Sequence, residues 1–376
     1  MKLNNVLVLA VALLMFPQLA QTLYSPALGD IGQAFAVGPE RAGQTLSVYF
    51  LAFALGVVVW GRLSDHLGRR PVMLAGLMIY AVASVLALNV STFTGLLLAQ
   101  ALAAFGAAVA SVVTQTVLRD RFHGPELAQV FSVMGIAMAA SPAIGLFCGA
   151  ALVQFFGYRG MLSGLLVLVL LLLGWCLWAL PETRPASLPA TSMSKTVGLM
   201  LKDTGVWCSV GLVAAFNIAL FAYYSVAPFI FEQLGLSAVE FGYSGVLLAL
   251  GSGLGAWLNK VLLKRGMSGD QLVLTAAGVA VLGSLLVLGL QHSWLFVCAM
   301  LLVVLAFGMA IPNVLGAALV AYRDRLGTAA AVFGLLYYLA IGAGLSLVAW
   351  VQDLGWSLLV CGLAALCLAT PRVFRS

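Results

Sequence analysis

Apolar residues come along this chain in long stretches broken by short polar ones, and the rhythm recurs twelve times. A helix needs roughly 20 apolar residues to cross about 30 Å of hydrocarbon. Stretches of that kind lie at 6–25, 43–61, 71–89, 94–118, 127–154 and 159–180. A second set lies at 206–231, 241–263, 270–290, 294–320, 327–350 and 354–370. They predict an all-α membrane protein with twelve transmembrane helices, several long enough to tilt or to leave the bilayer at an end. The first stretch, Val6 to Phe16 behind Lys2, has the shape of a signal peptide, yet it runs on to Leu23 and is long enough to span. Between 181 and 204 the rhythm fails, with Pro181, Pro185 and Pro189 among Glu182, Arg184, Lys195, Lys202 and Asp203. That segment reads as a cytoplasmic linker, too short for a domain, between six-helix halves at 1–180 and 205–376.

Composition sharpens the picture. The chain is 63% hydrophobic and 8% charged, with a mean hydropathy of +1.11 and 40 glycines that let spanning helices pack closely. A net charge of +6 raises the question of a nucleic-acid partner, but loop topology accounts for it. With the N-terminus inside, 16 of the 18 Lys and Arg fall on the cytoplasmic side, leaving only Arg41 and Arg159 outside. Both termini are therefore expected in the cytoplasm. All 30 charged side chains fall in loops or at helix ends. A charge near mid-membrane costs at least about 2.5–3.5 kcal/mol and normally marks an ion or proton path, and that marker is lacking here.

Other chemistry finds little footing. Six cysteines (Cys148, Cys176, Cys208, Cys298, Cys361, Cys367) sit in apolar runs without a CxxC and read as small core residues. His66, His123 and His292 are far apart, so no metal site and no cofactor is expected. No HExxH, GxSxG or Walker-type sequence points to an enzyme or an ATP-driven pump. A membrane receptor without transport is the reading from another class.

One polar break stands out: Gly61-Arg62-Leu63-Ser64-Asp65-His66-Leu67-Gly68-Arg69-Arg70, followed by Pro71. Gly61 would let a neighbouring helix approach, Gly68 would supply the turn, and Asp65 would accept hydrogen bonds from Arg69 or cap a helix. The stretch resembles the G-x-L-x-D-x-x-G-R-R/K loop of the major facilitator superfamily, through Gly61, Leu63, Asp65, Gly68, Arg69 and Arg70. In the fifth span, Pro142 followed by Gly145 and Gly149 is similar to the Pro-x-x-Gly-x-x-x-Gly element of that superfamily's exporters. Pro142 is expected to kink the helix, and the glycines to form a close-packing face. Leu23-Tyr24-Ser25-Pro26-Ala27, Leu180-Pro181-Glu182-Thr183 and Ala227-Pro228-Phe229-Ile230-Phe231 narrow the resemblance to the Bcr/CflA drug-resistance branch. In the second half, Asn259-Lys260 and Lys264-Arg265-Gly266 form a degraded echo of the loop, as expected of two related halves.

The resemblance implies a multi-pass transporter of the bacterial inner membrane. It would rock its halves about a central site, export a drug-like molecule in exchange for protons, and work as a monomer. Two departures bear on this. The family's helix-1 acid is replaced by Thr22, and its helix-4 base by Gln100. An importer or an uncoupled facilitator is the alternative they suggest. The resemblance also places the site between spans 1, 4, 7 and 10. Helical spacing there aligns Gln18, Gln21, Thr22 and Ser25, with Tyr24 nearby, and then Gln100, Ser111 and Gln115 with Thr114 beside them. Asn217, Phe221 and Tyr224 align with Tyr223 adjacent, while Asn313 and Tyr337 stand in the tenth and eleventh spans. Each of these side chains has a plainer use as interhelical glue. Together they suit a neutral, zwitterionic or cationic small molecule, in a chain otherwise surrounded by lipid.

Overall fold

A computed structural model describes residues 3–184 and 193–373. Lys2, Pro185, Pro189 and Arg375, used above for topology and for the linker, lie outside the described residues. Among the described residues the chain is helical almost throughout and has no strand. Hydrocarbon offers no hydrogen-bond partners, so each backbone N–H and C=O must be satisfied within its own helix.

The helices are α1 (Leu3–Tyr24), α2 (Leu28–Phe35), α3 (Pro39–Ala42), α4 (Gln44–Leu67), α5 (Arg69–Asn89), α6 (Phe93–Arg121) and α7 (Gly124–Ala179). They continue with α8 (Met193–Met200), α9 (Thr204–Gln233), α10 (Ala238–Lys264), α11 (Gly269–Leu290), α12 (Phe296–Ala318), α13 (Leu326–Val351) and α14 (Leu354–Val373). Eleven segments of the described residues are long and apolar enough to span. One of them, within α7, holds both the fifth and the sixth predicted spans, so the expected twelve are present. The break between those two is at Gly157, whose φ of 62° and ψ of −171° suit only glycine. Pro142 lies inside α7, where the dihedrals remain helical. Ser141 Oγ donates to the Ala137 carbonyl just below.

Two predicted boundaries move. The first span does not stop at 25: a 3-10 turn at Ser25–Ala27, with Pro26 inside it, leads into α2. The second span runs on to Leu67, so the expected loop at 61–70 is helical except at Gly68. Polar caps fix other starts. Thr92 accepts the Gly95 amide, Asp203 accepts those of Gly205 and Val206, and Ser237 with Glu240 forms a capping box.

The chain folds as two compact units. The first holds residues 1–37 and 48–190, in which α1 lies against α6 and α7, and α5 against α6 and α7. The second holds residues 38–47 and 191–376, with α9, α11, α12 and α14 packed together, and α3 and α8 against α13. The division thus falls inside α4. A further difference concerns cysteine: Cys148, Cys298 and Cys367 are exposed and not in the core.

Candidate functional site

Three groups of residues singled out by sequence can now be followed in three dimensions. The first is the turn at Gly68. With φ at +103° it has no side chain to cap α5, and a carboxylate remote in sequence does so instead. Glu182 accepts the Arg69 amide at 2.9 Å and the Arg70 amide at 3.1 Å, together with those of Thr183 and Arg184. Burial pushes the Glu182 carboxyl up, and the backbone donors of Arg69, Arg184, Arg70 and Thr183 outweigh it, holding the group below its ordinary range. A Cβ on Gly68 would meet Glu182 Oε2 at 2.6 Å, so the glycine serves both the turn and the cap.

The Arg69 side chain is 2% exposed. Its Nη1 reaches Asp65 at 2.8 Å and the Ser64 carbonyl at 2.7 Å, and its Nε reaches Asp120 on α6 at 3.0 Å. Arg70 donates to the Leu177 carbonyl at 2.6 Å. The motif therefore ties the ends of α4, α5, α6 and α7 into one piece. Gly61 is less special: a Cβ there would meet Val112 at an ordinary 3.5 Å. In the second unit Gly266 repeats the turn with φ of +92°, and Arg372 at the end of α14 pairs with Asp270 at 3.5 Å.

The second group is the seam between α7 and α1. A Cβ on Gly149 would meet the Leu23 carbonyl at 2.7 Å and its Cα at 2.9 Å, while one on Gly145 would collide with Thr22 Oγ1. Only glycines allow α1 to lie this close. Thr22 itself is 1% exposed and donates back to the Gln18 carbonyl at 2.8 Å. It faces the α7 seam as a packing residue.

The third group comprises the remaining polar candidates. In the first unit, Gln18 Oε1, Gln21 Nε2, Tyr24 OH, Gln100 Nε2 and Thr114 Oγ1 are buried and make no hydrogen bond within the protein. Each such atom costs about 1–3 kcal/mol unless a ligand or water completes it. Thr114 borders a cavity of about 10 Å³ lined also by Val6, Leu9, Leu13 and Leu180, room for one water. Ser111 and Gln115, farther along α6, are half-buried.

The second unit treats its candidates differently. Asn217 donates to the Val213 carbonyl of its own helix at 2.8 Å. Tyr223 donates to Ser244 at 2.6 Å and is wedged between Phe241 and Phe296. Asn313 donates to Asn259 at 2.7 Å and to the Met309 carbonyl at 2.9 Å. Tyr223 and Asn313 hold helices together, whereas Asn217 is satisfied within α9. Tyr224 packs edge-on against Phe221, and Tyr337 lies on Tyr338 with ring centres 4.3 Å apart. Asp30 and Glu232, the acids nearest the spans on α2 and α9, sit at helix ends, with Glu232 exposed.

The profile of the Major Facilitator Superfamily matches residues 10–345. The chain belongs to that superfamily. Its members are transporters and not enzymes. It is 26% identical to Multidrug resistance protein D of Escherichia coli, over 93% of this chain and 90% of that protein. It is 29% identical to the Chloramphenicol resistance protein of Pseudomonas aeruginosa, over 86% of this chain and 79% of that protein. The expected likeness to the drug-resistance branch is thus found in whole-chain relatives. Its fold matches the crystal structure of a D-xylose-proton symporter with a TM-score of 0.79, covering 98% of this chain and 97% of that one at 14% identity.

Three residues lie outside the site read from spacing. Glu182 stands among the linker charges and in the tetrapeptide that closes the first half, and Asp120 stands between Arg119 and Arg121. Their partners lie far away in the chain. Ser225, fully buried with no partner for its hydroxyl, had a local signal: Tyr24-Ser25-Pro26-Ala27 recurs as Tyr224-Ser225-Val226-Ala227.

Proposed function

We propose that this chain exports a small organic molecule across the bacterial inner membrane by alternating access of its halves, 1–180 and 205–376, joined by a cytoplasmic linker at 181–204. The observation that carries the reading is the α1–α7 seam. Gly145 and Gly149 belong to an element similar to that of exporters, and they press on Thr22 and Leu23, beside the buried amides. The names of the two bacterial relatives, for multidrug and chloramphenicol resistance, support the same direction. The test is accumulation of chloramphenicol in a bacterium stripped of its own efflux pumps. Expression of the chain should lower the steady-state level, and a raised level would overturn export in favour of import.

A second reading, facilitation without ion coupling, is favoured by Thr22 and Gln100. Where the family resemblance expects an acid and a base, both positions are neutral, and they are 1% and 3% exposed. Proteoliposomes separate the two. Uphill movement that a protonophore abolishes supports proton antiport, whereas equal equilibration with and without protonophore supports facilitation.

A further inference from the structure

We propose that α1 and α6 carry a recognition site for the uncharged, hydrogen-bonding part of the substrate. The site is built from the amides of Gln18, Gln21 and Gln100 and the hydroxyl of Tyr24, and it selects neutral molecules over cations. This deepens the transport reading and rests on it.

The four side chains differ in one respect from the candidates that join helices in the second unit. Gln21, Tyr24 and Gln100 are 2%, 2% and 3% exposed, yet each holds a polar atom with no hydrogen-bond partner in the protein, as does Gln18. Residues that glue helices together show the opposite pattern, as Asn313 on Asn259 and Tyr223 on Ser244 do in the second unit. Buried amides kept without partners are held ready for something that arrives.

Their heights agree with one site. Leu9 and Leu13 of α1 line the same small cavity as Thr114 and Val117 of α6, and consecutive spans run antiparallel, so that cavity sets the register. Counting at about 1.5 Å per residue from Leu13 and Thr114, Gln18 lies roughly 8 Å along, Gln21 roughly 12 Å, Tyr24 roughly 17 Å and Gln100 roughly 21 Å. The set spans about 13 Å, the length of a small organic molecule.

The chemistry is complementary to a definite class. Gln18 offers a carbonyl acceptor, Gln21 and Gln100 offer N–H donors, and Tyr24 offers either. An amide turned end for end remains neutral and bifunctional, so the class does not change. It is an uncharged molecule with carbonyl, nitro or ether acceptors and at least one hydroxyl or amide donor. A cation would find no counter-charge. Going outward from the set, the first ionisable acid or base along α1 and α2 is Asp30, roughly 14 Å beyond Gln21. On α6 it is Arg119, roughly 28 Å from Gln100.

The test uses the full chain purified in detergent, with Gln21→Met and Gln100→Met singly and together. Met keeps the length of the side chain and removes the amide. Two quantities are read: the unfolding temperature without ligand, and binding of labelled chloramphenicol, as the neutral probe, and tetraphenylphosphonium, as the cation, by equilibrium dialysis. The unfolding temperature should hold or rise, because an uncompensated polar group is removed. Chloramphenicol affinity should fall about tenfold per substitution. Tetraphenylphosphonium should bind more weakly than chloramphenicol to the unsubstituted chain.

A lowered unfolding temperature in both single variants would make the amides structural and overturn the site. So would unchanged chloramphenicol affinity, absence of chloramphenicol binding to the unsubstituted chain, or tighter binding of the cation. Failure of export shows differently. Chloramphenicol would still bind with its dependence on Gln21 and Gln100, but its level in cells would not fall.

Discussion

Glu182 closes the start of α5 from 113 residues away, its Oε1 lying 2.9 Å from the Arg69 amide. A helix start leaves several N–H groups without partners, and the usual remedy is a local Ser, Thr, Asp or Asn. Gly68 is needed there for its +103° φ and has no such side chain. The remote carboxylate fills the role, faces the positive end of the α5 dipole, and ties α5 to the segment after α7. A bend that sequence alone assigns to topology thereby becomes a rigid joint of the first unit.

Glu182→Ala should lower the unfolding temperature at neutral pH by no more than a lost cap, about 1 kcal/mol or less since the side chain is exposed. Its pH dependence has a definite sign. The carboxyl is held below its ordinary range, so its stabilising effect is present above that range and is lost as pH falls through the depressed value. The gap between the unsubstituted chain and Glu182→Ala should therefore be widest near neutrality and close below the ordinary carboxylate range. Thermal unfolding in detergent across that window checks it, and a gap that widened in acid would contradict the assignment.

The two carboxylates on Arg69 should not be equivalent. Asp120 is 14% exposed and Asp65 is 50% exposed, while Arg69 between them is 2% exposed. Charge pairs gain most where water is excluded, and an exposed pair is worth at most about 1 kcal/mol. Asp120→Asn should therefore destabilise more than Asp65→Asn, and Arg69→Ala most of all, by about 3 kcal/mol, since it leaves Asp120 without its charge partner and with only the Thr183 hydroxyl at 3.1 Å. Asp65→Asn should insert and fold while slowing transport. Unfolding temperatures and transport rates of the three variants give the order.

How much of this was legible follows from the range of each interaction. Twelve spans could be read because each is a local composition, and the charges at their ends because a hydrocarbon core excludes them. The Gly68 turn was local and was read. The Glu182 cap was not, because nothing near Gly68 announces a partner beyond residue 180. Extension of α4 through Arg62 and Asp65 was missed for a related reason: a polar run reads as a loop when helical hydrogen bonding is indifferent to side-chain charge. Spacing placed Gln21, Gln100, Asn217 and Asn313 in one class. Only their partners divide them, and Asn259 for Asn313 lies 54 residues away. Duplication of Tyr-Ser-x-Ala, once at the end of α1 and its 3-10 turn and once in α9, was present in the chain all along and marks Ser225.

Tyr223→Phe should separate packing from recognition. The hydroxyl donates to Ser244, which in turn donates to the Phe241 carbonyl, so the ring and its contacts would remain. Loss should be about 1 kcal/mol of stability, with chloramphenicol transport nearly unchanged. Ser244→Ala should cost a similar amount, and the pair together less than the sum, because one hydrogen bond is shared. A transport defect in Tyr223→Phe larger than its effect on folding would return Tyr223 to the recognition site.

The seam between α1 and α7 offers a sharper test, because its two glycines oppose different things. At Gly149 the obstacle is backbone, the Leu23 carbonyl and Cα, and neither can retreat without moving α1. At Gly145 the obstacle is the Thr22 hydroxyl, which a second substitution can remove. Gly149→Ala should then cost about 1–3 kcal/mol with no single-residue rescue. Gly145→Ala should cost a similar amount alone, but much less with Thr22→Ala, a coupling on the order of 1 kcal/mol between residues in contact. Thr22→Ala by itself should be mild, since the hydroxyl bonds only carbonyls of its own helix. Unfolding temperatures of the four variants in the Thr22–Gly145 cycle measure the coupling. Simple additivity would show that Thr22 does not face the seam, and would return it to the polar set with Gln21.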